Sequence, residues 1–201
     1  ALLERAGCPY QGAGPAGSFL ALNKAAAKAL FNKAGIRTPR YQFLPRRPSE
    51  GWMPSLPFPL FVKSNTGGSS IDLFRVLNKD ELNSALDTLF AQRQEVLVEE
   101  LIPGQEVTCG VLGPRGQEHA LPPVLIVPKR EFFDFHDKYA DNGADELCPA
   151  PLDAELVARI QAAALAAHKC LGLEGYSRAD FRLRDDGALF ILEVNTLPGM
   201  T

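Results

Sequence analysis

The most constraining stretch of the chain is YSRADFRLRDDGALFILEVN, two runs of alternating apolar and polar residues joined through Asp186-Gly187. An Asp-Gly pair between such runs predicts a two-residue type I′ hairpin turn, whose central residues both take positive φ. That turn pairs Asp185 with Ala188 and fixes each rung beyond it, with Asp180 opposite Glu193 and Arg178 opposite Asn195. Side chains alternate across a strand. One face therefore carries Ala179, Phe181, Leu183, Phe190, Leu192 and Val194, all apolar. The other carries Arg178, Asp180, Glu193 and Asn195 at the open end, with Arg182 and Ile191 nearer the turn. A one-residue slip of either strand would mix the two sets, so the sorting supports the register.

Carboxylates directly opposite each other on a ladder have Cβ atoms roughly 5 Å apart. At an effective dielectric of about 20 they repel by on the order of 3 kcal/mol. Water can screen that repulsion, and a cation between the acids removes it. Here an amide and a guanidinium adjoin the pair. Hard oxygen donors without histidine or thiolate suit magnesium, which commonly also holds substrate phosphates. Asp180, Glu193 and Asn195 are accordingly the expected metal ligands.

An anion site is legible elsewhere. PLFVKSNTGGSSIDLFRV reads as strand, glycine-rich loop and strand. Gly67 and Gly68 let backbone N–H groups turn towards an anion, Ser69 and Ser70 add hydroxyl donors, and Lys63 brings positive charge. The order differs from a P-loop, where the lysine follows the glycines and opens a helix, and from GxGxxG. EVLVEELIPGQEV then passes from one strand to the next through Pro103-Gly104, a candidate hinge between two lobes with Glu106 just beyond it.

The remaining chain supplies the frame. NKAAAKALFNKAG predicts a helix capped by Asn23 and stopped at Gly35, and a second helix spans about 79–92 with Asn78 as cap and Glu81 in the box position. A third follows Asp153, with Leu156, Ile160, Ala164, Ala167 and Leu171 on one face, and ends at Gly172. Residues 1–18 are rich in glycine and proline and read as irregular. REFFDFHDKYADNGADE is a long polar and aromatic segment of the kind that is commonly functional. Helices with clustered, mostly antiparallel strands give an α+β class.

Composition narrows the partners. The 201 residues are 46% hydrophobic and 22% charged, enough for a real core, and the net charge of −3 argues against nucleic acid or an anionic membrane as partner. Four scattered cysteines and three histidines suggest neither a zinc site nor a disulfide framework. A soluble protein in a reducing, cytoplasmic setting is the expectation.

Taken together and in order, NK at 23–24, FVKSNTGGSS, EVLVEELIPGQEVT, EFFDFHDKY, CPAPL, GYSRADF and LEVNTLPGMT resemble the D-alanine–D-alanine ligase family of the ATP-grasp superfamily. The resemblance runs from about Gly7 to Thr201. It implies two α+β subdomains gripping ATP between antiparallel sheets, a smaller one at 16–101 and a larger one at 102–201, after an irregular remnant at 1–15. By matched position, Lys24 and Lys63 bind ATP phosphates, and Ser69 helps to close the site. Glu99, Glu100 and Ile102 hold adenine, Phe132 lines its pocket, and Glu106 takes the ribose. Lys138 touches the phosphates and Tyr139 sits on the closing loop. Asp180, Glu193 and Asn195 bind Mg²⁺, with Mn²⁺ as an alternative. Arg178 faces the reacting carboxylate, and Gly199 lies where substrate binds.

The implied activity is ATP-dependent joining of two D-alanines through an acyl phosphate, for peptidoglycan, cell-wall biogenesis and cell shape. The alternatives are a ligase that accepts D-lactate, D-serine or another amino acid, and a nucleotide-binding module without ligation. The implied partners are small molecules, with room for a homodimer made through N-terminal or missing regions. Three departures stand out: Asn23-Lys24 where the family usually has Asp-Lys, Lys63-Ser64 where it has Lys-Pro, and Asp72 where it has glycine. The family's N-terminal domain and the Ser-Leu segment after the Pro-Gly turn have no counterpart here. The chain thus reads as a fragment expected to bind nucleotide with little ligation of its own.

Overall fold

A computed structural model describes residues 2–66, 72–128 and 144–199. Three helices come first: α1 (Leu2–Arg5), α2 (Pro15–Leu22) and α3 (Lys24–Lys33). Strands β1 (Tyr41–Leu44), β2 (Leu60–Ser64) and β3 (Leu73–Val76) follow, then α4 (Lys79–Ala91) and β4 (Val96–Glu100). The second half holds β5 (Gln105–Gly113), β6 (His119–Ala120), β7 (Val124–Pro128), β8 (Ala144–Leu147), α5 (Ala154–Cys170), β9 (Gly175–Leu183) and β10 (Leu189–Asn195). This is an α+β fold, as the sequence suggests.

Two antiparallel sheets organise the described residues. The first has the order β1-β4-β2-β3, and its apolar face meets α4 through Leu60, Val62, Val96 and Val98 against Leu82, Leu86 and Leu89. The second runs β10-β9-β5-β7-β8, with β6 on β5. Its core joins Val107, Cys109, Phe181 and Ile191 to Ile160, Ala164 and Ala167 of α5. Ala21, Ala27 and Phe31 of α2 and α3 bury into this second core. Residues 16–36, grouped by the sequence reading with the smaller lobe, therefore pack with the larger sheet.

The capping signals are realised in atoms. Asn23 Oδ1 accepts from the Ala26 N–H, Asn78 Oδ1 from Asp80 and Glu81, and Asp153 Oδ1 from Leu156. Glu81 reaches back to the Leu77 N–H at 2.9 Å, one residue before the cap. Residues 1–18 are less irregular than expected. Pro15 occupies the first turn of α2, where its missing N–H costs nothing. Gly17 lets that helix approach residues 171–173 so closely that a Cβ would lie 2.8 Å from Leu173 Cδ2.

The last hairpin corrects the predicted turn. Gly187 N–H donates to Arg184 O and Arg184 N–H to Ala188 O, so the loop has three residues, 185–187. Only Gly187 takes positive φ, at 77°, while Asp186 does not. Leu183 therefore pairs with Leu189, and Phe181 with Ile191, one step off the expected register. A β-bulge between Ile191 and Glu193 restores it, and beyond the bulge Asp180 pairs with Glu193 and Arg178 with Asn195. Two irregularities cancel. Their cost to the reading lies between them: Ile191 is in the core with no exposed surface, whereas Phe190 stands opposite Arg182 and both Phe190 and Leu192 are only partly buried.

Candidate active site

The open end of the hairpin gathers its polar groups on Asp180. Arg178 Nε and Nη2 donate to its two oxygens at 2.8 and 3.0 Å, and Asn195 Nδ2 donates at 2.9 Å. Thr108, opposite Asp180 on β5, adds an Oγ1 donor at 2.8 Å. Asp180 is buried and Glu193 half-buried. Among the described residues no three His, Cys, Asp or Glu side chains converge. A metal here would rest on two carboxylates and one amide, all hard donors that suit magnesium. In this arrangement Asn195 serves as a donor, and turning its amide would present the oxygen instead.

Across from this cluster stands Lys24, whose Nζ lies 3.7 Å from Glu193 Oε2. Burial lowers the Lys24 pKa, and Glu193 opposes that shift. The helix start that carries Lys24 is fixed by Asn65, which follows β2. Asn65 O accepts the Lys24 N–H at 2.9 Å and Asn65 Oδ1 the Ala25 N–H at 2.8 Å. Asn65 Nδ2 in turn donates to Asn23 Oδ1 and to Glu95. The departure to Asn23 thus keeps an acceptor for both the helix cap and Asn65. The departure to Asp72 lies at the root of the glycine-rich loop, where Asp72 O accepts from Ser64 N–H at 3.4 Å.

Lys63 points into a buried charge cluster. Its Nζ is 2.5 Å from Glu99 Oε1, and Lys28 Nζ is 2.9 Å from Glu99 Oε2. Burial alone would raise the Glu99 carboxyl, but Lys28 and Lys63 overturn that effect and hold it down to about 2. Burial pushes the Lys28 ammonium down to about 8 against the pull of Glu99. Glu100 is turned elsewhere. Its two oxygens accept from the backbone N–H and the Nε of Arg40 at 2.9 and 2.8 Å. Neither carboxylate of the expected adenine hinge is therefore without a protein partner. Ile102 is buried beyond them. Glu106 on β5 faces Arg182 at 3.6 Å, and Arg182 also donates to Gly104 O.

Gly199 lies beyond the hairpin with no atom within 4 Å of where a Cβ would be. Ser69, Phe132, Lys138 and Tyr139 lie outside the described residues, as do Gly67 and Gly68. The sequence reading missed Lys28, Thr38, Thr108 and Arg40. Lys28 had a signal, since it stands one helical turn after Lys24. Thr108 had none, because only the pairing of β5 with β9 brings it to Asp180. The assembled chemistry is a set of ammonium groups suited to a polyanion beside two acids suited to a divalent cation.

Residues 30–201 match the family model described as D-ala D-ala ligase C-terminus. The D-alanine--D-alanine ligase of Nitratidesulfovibrio vulgaris is 60% identical over the whole chain, which spans 65% of that relative's length. Among solved structures, the VanG D-Ala:D-Ser ligase from Enterococcus faecalis aligns over the whole chain and 59% of its own, with TM-score 0.86 and 36% identity. The D-alanine--D-alanine ligase from Bacillus anthracis complexed with ATP aligns over the whole chain and 64% of its own, with TM-score 0.80 and 36% identity.

Proposed function

The chain belongs to the D-alanine–D-alanine ligase family, with its ATP-grasp fold, and on that premise we propose that it carries the ATP- and metal-binding part of a ligase joining two D-alanines. The observation that carries the reading is the juxtaposition of Lys24 with Glu193, which pairs directly with Asp180 on the hairpin ladder. It sets phosphate-type and metal-type groups face to face. Magnesium, when bound, would neutralise phosphate oxygens, the role its hard donors Asp180, Glu193 and Asn195 suit.

The protein's own residues do the rest. Lys24 and Lys63 receive the phosphates, with Glu99 holding the Lys63 ammonium in place. Glu106 takes the ribose, and the segment through Ile102 takes the adenine. Ser69, Phe132, Lys138 and Tyr139 complete the nucleotide site as the family pattern implies. One D-alanine carboxylate attacks the γ-phosphorus, ADP leaves, and an acyl phosphate results. The amine of a second D-alanine then attacks the acyl carbon, phosphate leaves, and the amine proton passes to solvent. Arg178, aimed at this end of the hairpin, faces the oxygen on which negative charge develops, a contact whose loss typically costs about 3–4 kcal/mol of barrier. Gly199, with open space around it, leaves room for substrate.

This reading carries magnesium dependence, a role in peptidoglycan precursor synthesis and a cytoplasmic location. No helix among the described residues is long and apolar enough to cross a membrane. The likeness to a D-Ala:D-Ser ligase keeps a second acceptor in view. The test is phosphate release with Mg·ATP and D-alanine, followed by identification of the dipeptide, with D-serine and D-lactate as competing acceptors. D-Alanyl-D-alanine formation supports the proposal. Preference for D-serine or D-lactate supports the second reading, nucleotide binding without phosphate release supports a nucleotide-binding part that does not ligate on its own, and failure to bind Mg·ATP contradicts every version.

A further inference from the structure

Lys28 has no exposed surface, yet it stands in an alanine-rich helix where alanine would be the better helix former. Taking an ammonium out of water costs several kcal/mol unless partners compensate, and Lys28 has three. Its Nζ lies 2.9 Å from Glu99 Oε2, donates to Thr38 Oγ1 at 2.6 Å, and sits 5.7 Å from the centre of the Tyr41 ring. The chain of contacts continues both ways. Glu99 holds Lys63 through its other oxygen, and Thr38 Oγ1 donates to Ile191 O at 2.8 Å. Ile191 is where the bulge of β10 begins, and its N–H donates to Arg37 O at 2.8 Å. Residues 37–38 therefore hold both polar backbone groups of the residue whose bulge brings Glu193 opposite Asp180.

We propose that Lys28 is a positioning residue coupling the Lys63–Glu99 pair on the first sheet to the bulge that places Glu193 on the second. This rests on the functional reading above. Lys28 touches neither phosphate nor metal in that reading. It acts through Glu99 on one side and through Thr38 and Ile191 on the other. Methionine would fill its volume, so a role confined to packing predicts that Lys28→Met is mild.

The test measures binding of a non-hydrolysable ATP analogue to the purified protein by calorimetry across a Mg²⁺ series. Lys28→Met is expected to weaken Mg·analogue binding at least tenfold. Leu86→Ala, a core change on the face of the first sheet away from Lys63 and Glu99, is expected to lower Tm comparably while leaving affinity within twofold. Thr38→Val removes the hydroxyl that joins Lys28 to Ile191 while leaving the Lys28–Glu99 ion pair in place. It is expected to raise the Mg²⁺ concentration for half-saturation at least threefold, with analogue affinity at saturating Mg²⁺ changed less than twofold. A wild-type Mg²⁺ requirement in Thr38→Val overturns the proposal, and that variant decides alone if Lys28→Met fails to fold. Wild-type affinity in a folded Lys28→Met overturns it equally. Failure of the unaltered protein to bind the analogue would instead remove the functional reading beneath it.

Discussion

Glu99 is almost wholly enclosed and still ionised, because an ammonium group reaches each of its two oxygens. Its folded pKa of about 2 lies below the ordinary 4.5, so between those values the unfolded chain binds more protons than the native one. The stabilisation is complete above about pH 4.5 and is lost as pH falls towards 2. Removing one partner of a buried ionic cluster costs about 3–5 kcal/mol. Glu99→Gln should therefore be less stable than the parent by about that amount near pH 6 in urea unfolding. The gap should narrow by about 1–2 kcal/mol near pH 3. A gap that does not change with pH would contradict this assignment of charge. At this scale the sequence is legible where a single ladder decides the neighbours, as for Asp180 and Glu193. It is illegible where three elements meet, as for Lys28 with Glu99 and Thr38, since no local pattern announces such contacts.

Among the elements, the hairpin and the inter-sheet connection respond most sharply to backbone change. Gly187 sits at φ 77° with its nearest neighbour, Arg159 Nη1, 3.8 Å from a would-be Cβ, so Gly187→Ala meets only conformational strain of about 1 kcal/mol. Gly104 differs. At φ 122° its Cβ would lie 2.1 Å from Leu183 O, a backbone atom that cannot turn aside. Gly104→Ala should lower Tm several times more than Gly187→Ala, and equal losses would show that the connection moves freely against β9. Asp153→Ala should cost about 1 kcal/mol through the lost cap of α5. Helices α3, α4 and α5 were readable because each opens on a capping side chain, and α3 and α5 also stop at a glycine. The turn was misread because an Asp-Asp-Gly tip fits two loop lengths, and only the bulge, held from outside the hairpin by residues 37–38, decides the register at its far end.

At the scale of the whole molecule, the sequence indicated two lobes and grouped the first helices with the smaller one. α2 and α3 serve the core of one sheet, while Lys28 on α3 reaches Glu99 on the other. That crossing is what sets Lys24 and Lys63 on one side of the site and the hairpin acids on the other. The central claim is that these acids hold a divalent cation beside the nucleotide. Manganese(II) binding followed by EPR in the presence of ADP tests it directly, comparing the protein with Asp180→Asn and Glu193→Gln variants shown to be folded. The account predicts that each substitution weakens manganese binding at least tenfold; folded variants that bind manganese as the parent does would contradict it.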